Sequence, residues 1–176
     1  MKYYIMTRDK MYTDVPQIIN WFGKINTEHI IKKQYGKLEE KYFLLLKENI
    51  KMYQSDVIFE PTFMVSDMLR YCIQKYEPNI KATFVGLLER NNNRVFEFFI
   101  PHLDEQECLS DKSIITGNGT VLENAVFDIK KMNKRKYIFR IGGLNSTYIA
   151  VREEFAESIL RRGAKGIKFI EVDTEE

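Results

Sequence analysis

Two stretches of this sequence follow one plan, and any fold must accommodate both. The first runs from Thr62 to Leu88 and the second from Tyr148 to Val172. Each reads as a short strand, a short helix and a second strand. In the first copy Phe63 and Val65 lead to Ser66, whose hydroxyl suits a helix N-cap, and Asp67 favours the positive end of the helix dipole. Leu69, Cys72, Ile73 and Tyr76 then recur at helical spacing, Pro78 stops the helix, and Phe84 to Leu88 forms an apolar strand. In the second copy Glu153 and Glu154 open the helix and Phe155, Ile159 and Leu160 form its apolar stripe. Arg161 and Arg162 suit its C-terminal end, and Gly163 suits the residue beyond it.

Aligning Val65 with Val151 also aligns Leu69 with Phe155 and Ile73 with Ile159. Two copies are too few for a stacked solenoid. They read either as a shared packing solution or as a duplication, each laying a helix on a sheet.

The rest of the chain adds strands. Lys2 to Met6 is a strand ended by Arg8-Asp9-Lys10. Asp14 to Asn26 is rich in apolar residues, and Trp21 reads as a packing anchor. Thr27 caps a short helix over residues 28–35 that ends at Gly36. Tyr42 to Leu46 is apolar enough to be buried on both faces, and Val57 to Phe59 is a further short run. Asn91 to Asn93 turns the chain into a strand from Val95 to Ile100. The stretch from His102 to Gly119 is polar and long for a plain connection, so it is a functional loop or holds short elements. Val121 to Ile129 is a strand. Tyr137–Ile141 and Tyr148–Val151 form a hairpin around Gly142 to Asn145. The expected class is α+β, with mostly antiparallel sheets and three short helices at residues 28–35, 67–76 and 153–162. One domain spans residues 1–176, with room for two lobes, 1–100 and 101–176.

Composition narrows the partners. Lys and Arg number 27 against 25 Asp and Glu, a net charge of +2, which argues against a surface built wholly to clamp nucleic acid. The two cysteines, Cys72 and Cys108, do not make a disulfide scaffold. MKYYIMTRDK lacks the apolar run of a secretion signal, and no run nears the ~20 residues of a membrane span. The cytoplasm is the expected location.

No motif assigns a reaction. His102, Asp104, Glu105, Glu107 and Cys108 are the nearest approach to a metal cluster, but they lack a second histidine or a cysteine pair. His29 and His102 are the only histidines, and there is no nucleophile-elbow pattern. Gly142-Gly143 and Gly117-Asn118-Gly119 read as turns, not as phosphate cradles. No cofactor or metal is expected. Two other function classes stay open. One is a small hydrolase using Cys108 or a carboxylate pair. The other is a nucleic-acid or regulatory module using the basic turn with Lys130, Lys131, Arg135 and Lys136.

Five stretches together carry a resemblance: MKYYIMT, PQIINWFGKI, TFMVSDMLRYCIQKYEPN, ECLSDKS and YIAVREEFAESILRRGAKGIKF. They resemble a family of bacterial immunity proteins from polymorphic toxin systems, called immunity protein eleven, over nearly the full length. The resemblance implies a cytoplasmic, non-enzymatic protein that binds and neutralises a cognate toxin by stoichiometric inhibition. It transfers no functional residue. The length and local acidity of the 102–119 stretch make it the expected toxin-facing segment, with acids Asp104, Glu105, Glu107 and Asp111 to meet a basic toxin cleft.

Overall fold

The computed structural model describes residues 1–13, 15–48 and 55–176. In chain order its elements are β1 (Tyr3–Arg8), α1 (Thr27–Ile31), β2 (Lys41–Leu45), β3 (Val57–Ile58), β4 (Met64–Ser66), α2 (Asp67–Tyr76), β5 (Ala82–Glu89) and β6 (Arg94–Pro101). They continue as β7 (Glu105–Gln106), β8 (Ile114–Thr116), β9 (Val121–Asn124), β10 (Val126–Asp128), β11 (Ile138–Ile141), β12 (Ile149–Arg152), α3 (Glu153–Arg161) and β13 (Ile167–Glu175). The class is α+β, with mostly antiparallel sheets.

The chain divides into two compact units. A middle unit holds Arg8–His102 and Gly163–Ile167. A terminal unit holds Met1–Thr7, Leu103–Arg162 and Lys168–Glu176.

The middle unit is built on a five-stranded sheet in the order β2-β5-β6-β4-β3. β2 runs parallel to β5, and the other neighbours are antiparallel. Alternate residues supply one apolar face: Tyr42 and Leu44, Val85 and Leu87, Phe98 and Ile100, with Ile18, Ile25 and Ile30 packed on them. α2 packs against β4 and β6 through Leu69, Cys72 and Ile73. Burying a leucine-sized side chain contributes roughly 1.5–3 kcal/mol, which is how the helical stripe read from sequence fixes the helix to the sheet. The terminal unit is built on a six-stranded sheet in the order β10-β13-β1-β12-β11-β7. Tyr3, Phe127, Phe139 and Ala150 lie in its core. α3 buries Phe155, Ala156 and Ile159.

The two sheets share one topology. β10 is parallel to β13, β1 is antiparallel to β12, and β12 is antiparallel to β11. Lys2 meets Glu171 and Thr7 meets Lys168, so numbers rise on β1 as they fall on β13, an antiparallel pairing. In both units the helix therefore crosses between two parallel strands with a third strand inserted between them. The inserted strand is β6 in the middle unit and β1 in the terminal unit. Read in chain order, β1-β2-β3-β4-α2-β5 is followed by β6-β10-β11-β12-α3-β13, with extra elements inserted in each. The first strand of each reading lies in the other reading's sheet. This is the topology of a doubled module whose leading strands are exchanged.

Several boundaries differ from the sequence reading. The first helix ends at Ile31, not residue 35, and Lys33 takes a positive φ of 55° that closes it. Asn26, not Thr27, caps it, its Oδ1 accepting from the Glu28 amide at 3.0 Å. β2 is buried on one face only, with Phe43 half exposed. The expected strand 121–129 is two strands, β9 and β10, in different sheets. The 102–119 stretch holds β7 and β8 and a single 3-10 turn at Gly117–Gly119. The Gly142 turn does join β11 to β12 as a hairpin, and Gly163 is left-handed at φ 75°. Asp14 lies outside the described residues.

Candidate functional site

The acidic segment of the terminal unit is held in place by β7, which pairs parallel to β11. That pairing sets Glu105 beside Arg140, whose guanidinium is buried and lies 3.5 Å from the Glu105 carboxylate. Asp104 pairs with Lys136, from the basic turn. The structure thus spends two of the four acids on cations of the same unit. Glu107 and Asp111 are exposed. A Cβ on Gly142 would fall 2.8 Å from Glu107 Oε1, which an exposed side chain can vacate, and 3.1 Å from the Gln106 carbonyl, so the backbone crowds any larger residue at this turn.

Parts of the basic turn are also engaged within the unit. Lys131 sits 3.7 Å from Asp128 and donates to the Leu109 carbonyl at 3.3 Å. The Lys134 carbonyl accepts from Arg152 at 2.8 Å. Lys130, Lys131, Lys134 and Arg135 are all exposed.

The sequence-level nucleophile does not present itself to solvent. Cys108 is fully buried, and burial pushes its thiol up to about 12, so the thiolate is scarce at neutral pH. In the middle unit His102 shares a 2.8 Å hydrogen bond with Thr83 Oγ1 and stacks on Tyr35, with ring centroids 4.4 Å apart. Burial, and then the Lys81 ammonium, hold His102 below the ordinary histidine value. Thr83 is buried, so this group ties β5 to the end of β6. Among the described residues no three His, Cys, Asp or Glu side chains converge as a metal site. Among them, too, no helix is long and apolar enough to cross a membrane.

The most unusual surface of the terminal unit is the β8–β9 hairpin. It forms a two-stranded sheet of its own. Ile114, Ile115 and Val121 are all exposed, at 51%, 41% and 46%. β8 has β9 as its one strand neighbour among the described residues, so its outer backbone edge is open. The hairpin is nevertheless firmly set. The Leu122 amide donates to the Tyr148 hydroxyl at 3.0 Å, and the Asn145 amide donates to the Gly119 carbonyl at 2.8 Å. Asn145 Nδ2 donates to the Asn118 carbonyl at 2.6 Å. Sequence reasoning missed these apolar residues because a strand pattern does not say which face lacks a cover.

The middle unit carries a second feature, a cleft of about 410 Å³. Pro16, Ile18, Trp21, Ile58, Phe59 and Pro61 supply its apolar walls, and Arg8 and Glu60 supply one charge of each sign. Trp21 both packs on the core and lines the cleft, so it is an anchor with one face free. The Phe22 ring stands 5.9 Å from that of Trp21 and is 86% exposed.

No family model matches this sequence, and no curated protein matches it.

Proposed function

We propose that this protein is a cytoplasmic immunity protein that binds a cognate toxin domain and neutralises it stoichiometrically. The resemblance to the immunity protein eleven family motivates the reading. The observation that carries it is the anchored β8–β9 hairpin, with three exposed apolar side chains and an open strand edge. Exposed apolar side chains suit contact with a protein, and an open edge offers backbone donors and acceptors to a partner strand. Because the hairpin is already ordered by Tyr148 and Asn145, little conformational entropy is lost on binding. Glu107 and Asp111, exposed and not paired with Lys136 or Arg140, offer negative charge to a basic partner. The Cys108 hydrolase alternative loses support from the burial of its thiol.

The test is co-purification from the native cell after a high-salt wash, with wild type and Ile115→Asp in parallel. Wild type should retain one large protein with a toxin-like C-terminal domain. Ile115→Asp should retain at least tenfold less, the loss expected when a contact worth about 2 kcal/mol is removed. Retention of nucleic acid or of nothing by the wild type would contradict the reading.

A further inference from the structure

From the cleft of the middle unit we infer that this protein forms a two-fold symmetric dimer. Phe22 of each copy would enter the cleft of the other. The argument begins with the loop that carries it. Residues 17–20 are pinned to the end of β2 and to Lys47 just beyond it. The Ile19 amide donates to the Leu45 carbonyl at 3.0 Å, the Lys47 amide donates to the Gln17 carbonyl at 2.7 Å, and the Leu45 amide donates to Asn20 Oδ1 at 2.6 Å. The loop is therefore a fixed platform. Yet Ile19 is 59% exposed and Phe22 86%. An aromatic side chain held out from an ordered loop leaves its whole apolar area in water unless something covers it.

A small molecule filling the cleft would not cover Phe22, which stands beside the cleft and does not line it. The cover must be as wide as a protein surface. A two-fold interface uses one patch twice, so the patch must hold both halves of each contact. This one does. A projecting ring, Phe22, adjoins a hollow lined by Trp21, Ile18 and Phe59. A cation, Arg8, and an anion, Glu60, both line the cleft, and neither forms an ion pair among the described residues. Across a two-fold axis Arg8 faces Glu60 of the second copy and Glu60 faces Arg8, so both charges are matched at once. A patch of a single sign would repel its own copy.

The test is sedimentation velocity on the full chain from about 1 to about 100 μM, which brackets a dimer of micromolar affinity. Wild type should sediment as a dimer at the upper end. Phe22→Asp should be monomeric throughout, and its exposed position leaves the fold intact by circular dichroism. Arg8→Glu and Glu60→Arg should each weaken the dimer at least tenfold. Combining them exchanges the charges and should restore association to near the wild-type level. A wild-type protein that is monomeric at every concentration overturns the inference. So does a dimer that Phe22→Asp leaves unchanged.

Discussion

His102 makes the middle unit sensitive to acid. Its ring stacks on Tyr35 and is hydrogen-bonded to Thr83, and burial disfavours its charged form. The native state therefore binds this proton less readily than the unfolded chain, whose histidine titrates near 6.5. The contribution to stability is complete above about pH 6.5 and is lost as pH falls from there through the depressed native value. Urea midpoints measured across that range should drop with acidification, and His102→Gln should flatten the drop. Gly166 makes a second residue-scale prediction. Its φ is +78°, and an added Cβ would overlap Ser55 Oγ and lie 2.9 Å from Ser55 Cβ. Gly166→Ala should cost about 1–3 kcal/mol. Its thermal midpoint should fall about 2–4 °C for each kcal/mol, read by calorimetry. Neither effect was legible in the sequence, because Ser55 and Gly166 are distant in the chain and meet only after folding.

At the scale of elements, the two repeated helices start on different chemistry. Ser66 caps α2, accepting from the Leu69 amide at 3.4 Å and donating to Asp56 Oδ1 at 2.7 Å. The equivalent residue before α3 is Arg152, which gives no side-chain cap. Its buried guanidinium instead lies 4.3 Å from the Tyr137 ring centroid and donates to Glu154 and to the Lys134 carbonyl. The backbone bond is the same in both: the Ser66 amide donates to Asp56 and the Arg152 amide to Tyr137, each at 2.9 Å. Ser66→Ala should cost about 1 kcal/mol. Arg152→Ala should cost more, roughly 2–4 kcal/mol, because it removes the buried guanidinium's bonds to Glu154 and the Lys134 carbonyl and its contact with the Tyr137 ring. Chemical denaturation of the two variants checks the order. α2 and α3 were legible because cap, stripe and stop agree at each. Residues 28–35 misled because Ile30, Ile31 and Tyr35 keep helical spacing while Lys33 breaks the backbone. The acids at 104–111 were legible as residue types, but their pairing with Lys136 and Arg140 was not, since it depends on β7 joining β11.

At the scale of the whole molecule, the exchanged strands bind the halves of the sequence into one folding unit. A chain cut in the exposed Asn91–Asn93 turn gives one half lacking β6 and another lacking β1. β6 carries Phe98 and Ile100 into the middle core, and β1 carries Tyr3 and Ile5 into the terminal core. Each half alone should show no cooperative unfolding, and the two expressed together should co-purify as a folded pair. A half that folds alone would refute the exchange as a source of stability. The same architecture leaves the β8–β9 hairpin outside both main sheets, free to meet a partner. The proposed neutralisation of a toxin by simple occupancy is best tested by titration, with a toxin domain recovered by the co-purification above. The recovered toxin domain would be assayed for its activity against rising amounts of this protein. A stoichiometric inhibitor should abolish activity at a one-to-one molar ratio, with Ile115→Asp shifting the curve to higher amounts. Loss of activity at far lower ratios, growing with time, would mean turnover and would contradict the account.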